Sequence, residues 1–308
     1  MSSAPLSTEN RDGVAWVTLN RPERLNAMND ALMDGLVETL TMVADDPAAR
    51  CVVLGGAGTS FSAGGDVGEM RDRQRATAQA DAAGPLLQAQ AERLAQRGSA
   101  STLLVTMPKP TVAMLRGHAV GGAFALALAC DLRVASRTAR LRLGFPKLGL
   151  SGDYGATWLL AHLIGGAKAR ELCLLDPVLT AERAFDLGLV TELADDEALE
   201  ARTAELAGKL AAGPTFGYAK LKENLYRVAG GNLPDHLRAE AMLSRMTAMS
   251  RDCAEAGAAF AEKRPPPLHR RLTCRCRSTG TCRCSAIPAS AVPGACSAPA
   301  TITARSTS

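Results

Sequence analysis

Phe61-Ser62-Ala63-Gly64-Gly65-Asp66-Val67 and Gly117-His118-Ala119-Val120-Gly121-Gly122-Ala123 are two glycine-rich turns. Each follows an apolar run that reads as a strand, Cys51-Val52-Val53-Leu54 for the first and Thr111-Val112-Ala113-Met114-Leu115 for the second. Neither turn ends in the Lys-Ser/Thr of a phosphate-cradling loop, and neither has the glycine spacing of a dinucleotide site. They offer bare backbone N–H groups, the second set at the start of an apolar helix. Two such donors aimed at one point make an oxyanion hole.

Outward from these turns, Val14-Ala15-Trp16-Val17-Thr18-Leu19 reads as a strand closed by Asn20-Arg21-Pro22. Met28, Leu32, Leu36, Leu40 and Val43 recur at helical spacing until Asp45-Asp46-Pro47. Residues 68–106 are polar, alanine-rich and helical, and Met107-Pro108-Lys109-Pro110 ends them. A helix over Phe124–Cys130 and a strand over Leu132–Ala135 continue the alternation, which predicts an α/β core. From Asp196 onward the pattern is helical, with helices expected at 196–212, 215–229, 234–250 and 252–263. The expected organisation is therefore a core over 1–195, a helical oligomerisation region over 196–263 and a disordered tail over 264–308. The tail is rich in Arg, Cys, Pro and Ser and has no periodic apolar face.

The chain has 308 residues, 47% of them hydrophobic but only 4% aromatic, so small aliphatic side chains must fill the core. All 31 acidic residues and 28 of the 35 basic ones lie in 1–263, which leaves that part at −3 and argues against a nucleic-acid footprint. No apolar stretch is long enough to span a bilayer, so no membrane partner and a cytoplasmic location are expected. Cys51, Cys130, Cys173 and Cys253 read as reduced, packed thiols. The other five cysteines lie in the tail, where two Cys-Arg-Cys pairs (274–276 and 282–284) fit no common zinc module, and no metal is expected.

Asn20-Arg21-Pro22, Leu25-Asn26-Ala27-Met28, the two glycine turns, Cys130-Asp131 and Leu187-Gly188-Leu189-Val190 together resemble the crotonase superfamily, the enoyl-CoA hydratase/isomerase family. The likeness runs in order over residues 10–264. It implies a crotonase-like spiral of ββα units followed by a helical trimerisation region. It also implies acyl-CoA thioester substrates, homotrimers or hexamers, and no cofactor beyond the coenzyme A carried by the substrate. By this resemblance the thioester oxygen sits between the N–H groups of Gly65 and Gly122. Coenzyme A lies along Arg24, Leu25 and Ala27 and along Ala63, Asp66 and Val67. Phe260 and Lys263 match residues that reach the adenine end from a neighbouring subunit.

The resemblance also shows what is missing. The positions of the two glutamates with which hydratases of this family activate water hold Ala125 and Phe145. These side chains line an acyl pocket and transfer no proton. Asp153, in Gly149-Leu150-Ser151-Gly152-Asp153-Tyr154-Gly155, holds the place of a catalytic aspartate in dienoyl-CoA isomerases, ring-opening epoxide isomerases and aryl-CoA dehalogenases. It is either a cap for the helix starting at Ala156 or a buried proton carrier. The second reading makes the chain a double-bond isomerase; hydration by Asp153 alone and a weakly catalytic thioester-binding scaffold are the alternatives. His118 reads as a hydrogen-bonded structural residue, and Tyr154 and Trp158 as pocket walls or core.

Overall fold

The computed structural model describes residues 4–78 and 83–268. The two Cys-Arg-Cys pairs and the rest of the expected tail from residue 269 lie outside the described residues. The chain runs through β1 (Leu6–Arg11), β2 (Val14–Leu19), α1 (Asp30–Asp45), β3 (Cys51–Gly56), α2 (Val67–Ala78) and α3 (Ala83–Thr106). It continues through β4 (Thr111–Leu115), β5 (His118–Val120), α4 (Gly122–Ala129), β6 (Leu132–Ser136), β7 (Arg140–Arg142) and α5 (Ala156–Leu175). Then come β8 (Leu179–Thr180), α6 (Ala181–Asp186), β9 (Glu192–Ala194) and four helices: α7 (Leu199–Ala212), α8 (Thr215–Val228), α9 (Leu233–Ala248) and α10 (Arg251–Ala261).

A six-stranded sheet has the order β1-β2-β3-β4-β6-β9, and a smaller one the order β5-β7-β8. From β2 to β9 the large sheet is parallel. The units β4-β5-α4 and β6-β7-α5 each place their first strand in the large sheet and their second in the small one. This is the expected ββα repeat. A parallel sheet needs cover on both faces, and its side chains divide accordingly. Ala15, Val17, Leu19, Val52 and Leu54 join α1, α3 and α4 on one side. Val14, Trp16, Cys51 and Val53 meet Leu199, Ala207 and Ala211 of α7 on the other. Every residue of α4 is buried, as an all-apolar helix must be.

Two differences from the sequence reading have physical causes. The stretch expected to be helical over 68–106 falls into α2 and α3. An edge strand, β1, precedes the first expected one. Its sequence Leu-Ser-Thr-Glu-Asn-Arg carries almost no apolar signal because it is exposed along its length. Its turn did carry one: Asp12 and Gly13, at φ +51° and +83°, form the two-residue hairpin loop that Asp-Gly favours. Among the described residues no helix is long and apolar enough to cross a membrane. Cys51 and Cys130 are buried, as expected, and burial pushes both thiols up to about 12. Cys253 is a correction: it lies exposed on the first turn of α10.

The inner end of β4 is held by a polar cluster. The Asp131 carboxylate accepts from Thr111 N (2.8 Å), Thr111 Oγ1 (3.0 Å) and Lys222 Nζ (2.7 Å). Lys222, only 9% exposed, also donates to the carbonyls of Leu104 and Lys109 and so ties α8 to the end of α3. Lys222→Met leaves Asp131 and both carbonyls short of a donor. The expected outcome is a loss of about 2 kcal/mol of stability, read as a lower urea midpoint at unchanged slope.

Candidate active site

The first glycine turn is fixed by Asn26, which is fully buried at φ +54°. Its side chain accepts from Arg21 N and donates to the carbonyls of Ala57 and Ser60. Its own carbonyl accepts from Ser62 Oγ at 2.8 Å. The turn is then stitched to its neighbours: Phe61 N donates to Arg116 O, Ser62 N to His118 O, Ala63 N to Leu25 O and Asp66 N to Met28 O. Gly64 N donates to Ser62 Oγ. Of the N–H groups from Phe61 to Asp66, that of Gly65 alone has no acceptor among the described residues, and Gly65 is exposed.

The second turn lies directly beside the first. Ser62 N donates to His118 O at 2.8 Å, and Val120 N donates to Ser62 O at 3.1 Å. The backbones touch at Gly64, where a Cβ would stand 2.8 Å from Val120 O at φ +91°; only glycine fits such an approach. Gly121, at φ +63°, precedes α4 without a side-chain cap. The N–H groups of Gly122, Ala123 and Phe124 have no acceptor among the described residues. The two donors expected at Gly65 and Gly122 therefore both lack an acceptor among the described residues; Gly65 is exposed, and Gly122 is buried against the Tyr154 ring at the positive end of a helix dipole.

Asp153 stands in the turn before α5. The capping reading is overturned, because the cap residue of α5 is Gly155, at φ +77°, with no side-chain hydrogen bond. Asp153 Oδ1 is buried without a partner, and burial lifts the carboxyl from the usual range to about 6. The next residue, Tyr154, lays its ring on Gly122, where an added Cβ would stand 2.5 Å from Tyr154 Cδ2 and 2.9 Å from Met28 Cε. Asp153 and the second glycine turn are thus joined through one tyrosine ring. Burial and the adjoining Asp153 carboxyl push the Tyr154 phenol up.

Asp153, Tyr154 and Trp158 line a cavity of about 570 Å³ whose opposite wall is α3, with Tyr226 of α8 at its side. The Trp158 ring lies 3.8 Å from that of His162 and 6.3 Å from that of Tyr226. Tyr154 and Trp158 are therefore both walls. Phe145 is buried between Gly121 and Gly152, its ring 3.8 Å from where a Gly152 Cβ would be. Ala125 is fully buried inside α4. His118 is a correction. The alternation of β5 buries Ala119 and turns His118 outward, and its ring has no partner among the described residues.

Arg24 is exposed, with no side-chain partner among the described residues, next to Leu25 at φ +47°. Ala27 O accepts from Arg21 Nη1, which also meets Asp66 at 3.2 Å. Burial alone would raise the Asp66 carboxyl, but Arg21 and the N–H groups of Gly68 and Glu69 hold it below its ordinary value. Asp66 is thus committed within the protein, its backbone as well, through Asp66 N to Met28 O and Met70 N to Asp66 O. Ala63 and Val67 are exposed beside it. Phe260, 87% exposed, and Lys263, at φ +55°, sit at the far end of α10, which packs against α9. The structure does not bring them to the glycine turns within one chain. Two parts of the site escaped the sequence reading. Ala91, Ala95, Gly98 and Thr102 form a face of small side chains on α3, visible in their 4-3-4 spacing. Tyr226 is brought in by tertiary packing and carried no local signal.

Comparison with known proteins gives a consistent result. Residues 9–271 match the family model described as enoyl-CoA hydratase/isomerase. The chain is similar to the 1,2-epoxyphenylacetyl-CoA isomerase of Escherichia coli (strain K12), 38% identical over 82% of this chain and 94% of that protein. It is similar to the trans-2-decenoyl-(acyl-carrier-protein) isomerase of Streptococcus mutans, 31% identical over 83% of this chain and 94% of that one. Among solved structures, an enoyl-CoA hydratase from Polaromonas sp. JS666 superimposes with a TM-score of 0.78 at 30% identity, covering 86% of this chain and 99% of that one.

The Asp153 carboxyl gives a test that needs no substrate. Its folded value, about 6, lies above the ordinary 3.8, so its protonated form stabilises the fold. That stability is full below about pH 4 and is lost as pH rises through about 6. Asp153→Asn is expected to raise stability at pH 8 by the order of 2 kcal/mol. The gain should shrink at pH 5 and vanish near pH 4, as read by urea unfolding at each pH.

Proposed function

This chain belongs to the enoyl-CoA hydratase/isomerase family, and from that premise we propose that it shifts a carbon–carbon double bond within an acyl-CoA thioester. The observation that supports this reading is the buried Asp153 Oδ1, unpartnered among the described residues and joined through the adjacent Tyr154 ring to Gly122, one of two glycines whose N–H has no acceptor among the described residues. The Asp153 carboxylate takes a proton from a carbon conjugated to the thioester. The C–H electron pair moves into the dienolate, whose negative oxygen is held by the N–H groups of Gly65 and Gly122. A fixed donor at such an oxygen is worth roughly 2.7–4 kcal/mol. Asp153 then returns the proton to the other end of the conjugated system, and no co-reactant is consumed. Addition of water asks for further acid and base groups, and Ala125 and Phe145 provide none.

In this reading coenzyme A runs past Arg24, whose free guanidinium suits a phosphate. It continues past Leu25, Ala63 and Val67, which are exposed, and Ala27 and Asp66, which are partly so. Exposed apolar residues on α8 and α9, among them Leu221, Leu225, Leu233 and Leu237, support a homotrimer or hexamer. There Phe260 and Lys263 would serve a neighbouring subunit's substrate.

The test is incubation with 2-enoyl-, 3-enoyl- and dienoyl-CoA thioesters in deuterated water, followed by mass spectrometry. Migration of the double bond with deuterium uptake is expected, rising with pH through about 6 as the carboxylate forms. Asp153→Asn is expected to lower it about 100-fold or more. Gain of water would establish hydration instead, and binding without turnover would establish a scaffold.

A further inference from the structure

We infer that Ser101 is the positioning residue for Asp153: its hydroxyl, reaching from α3, pins the Tyr154 carbonyl and so holds the Asp153 carboxyl at the groove. This rests on Asp153 being the proton carrier proposed above.

The turn is unusual in how little holds it. Gly152, Tyr154 and Gly155 have φ of +110°, +50° and +77°, and a tyrosine in the left-handed region is strained. Among the described residues, none of the N–H groups from Ser151 to Gly155 has an acceptor. Asp153 O accepts only from Ala156 N, the first residue of the helix that follows. Among the described residues, one hydrogen bond ties residues 151–155 to a distant element: Ser101 Oγ donates to Tyr154 O at 2.7 Å across 53 residues. Ser101 is 7% exposed and lines the same cavity as Asp153.

The bond is also out of character for a helical hydroxyl, which ordinarily turns back on its own helix. Thr41, Thr106 and Thr203 do so, donating to Val37 O, Thr102 O and Leu199 O. Ser101 reaches outward instead. The Tyr154 ring packs on Gly122 and Met28, but apolar packing is non-directional, and a hydrogen bond to the carbonyl fixes the peptide plane. Without it, Tyr154 can relax toward negative φ. That relaxation rotates the peptide joining it to Asp153 and lets the carboxyl swing to water. A displacement of about 1 Å at a reacting group costs about 100-fold in rate.

Two measurements test this, one of them independent of turnover. In the wild-type background Asp153→Asn stabilises at pH 8 and not at pH 4. In the Ser101→Ala background the carboxyl reaches water, so that pH-dependent gain is expected to disappear. Burial is the cause acting on Asp153, whereas Arg73, Arg97 and Asp30, on α2, α3 and α1, act on the Tyr154 phenol. An unchanged gain in the Ser101→Ala background overturns the proposal whether or not the protein isomerises anything. With a turned-over thioester, Ser101→Ala is expected to lower kcat about 10- to 100-fold at nearly constant KM, and Ser101→Thr to restore most of it. A kcat within about twofold of wild type overturns the role of Ser101. Full activity of Asp153→Asn overturns the proton-carrier reading and this inference with it.

Discussion

The candidate site depends on the approach of two backbones at Ser62. Its N–H and C=O bond to His118 and Val120, so the two glycine turns run side by side with no side chain between them. A Cβ at Gly64 would stand 2.8 Å from Val120 O, so the glycine there is a steric requirement. Among the described residues, every N–H from Phe61 to Asp66 has an acceptor except that of Gly65. The uncapped start of α4 leaves that of Gly122. A backbone N–H without an acceptor is ordinarily a defect in a folded protein, and the two turns each keep one, at Gly65 and at Gly122.

Several buried charges elsewhere in the molecule are held differently from Asp153. Arg133 is buried, and its guanidinium donates to the carbonyls of Leu189 and Cys130. Asp176 is buried and meets Arg142 and Gly144 N. Lys109 and Lys222 close helix ends. Each of these four buried charges has hydrogen-bond partners, as the cost of leaving it unpaired demands. Asp153 Oδ1 has no partner, in a turn that also holds a strained tyrosine. Strain and an unpartnered carboxyl oxygen thus fall within the same four residues, and each costs stability.

Much of this was legible in the sequence. The glycine turns, the strands before them, α1 and the four C-terminal helices follow from apolar spacing and turn residues, since each is decided within one or two turns of chain. What escaped has a common cause. β1 is exposed and so carries no apolar pattern. β5, β7 and β8 are two or three residues long, too short for a period to show. Tyr226 and Ser101 enter the site from helices far along the chain, and only tertiary packing brings them there. Phe260 and Lys263 are the opposite case: family resemblance assigns them a role, and a single chain leaves them apart from the turns.

The two lost glutamate positions bear on the chemistry through their surroundings. Ala125 has no exposed surface and lies in a helix buried on every side. A glutamate there would need both space and a hydrogen-bonding partner, or it would take up a proton and cease to serve as a base. Phe145 is packed between Gly121 and Gly152, filling the gap between the donor turn and the Asp153 turn. Both places are thus occupied by well-packed apolar side chains. A glutamate could be placed at either position only by repacking the core around it. The isomerisation proposed above, in which one group removes a proton and gives it back, asks for nothing at either place. It asks only that the carboxyl be dry enough to hold the proton near neutral pH and fixed enough to meet both carbons, and the burial of Asp153 and the anchoring of its turn are the features that serve those needs.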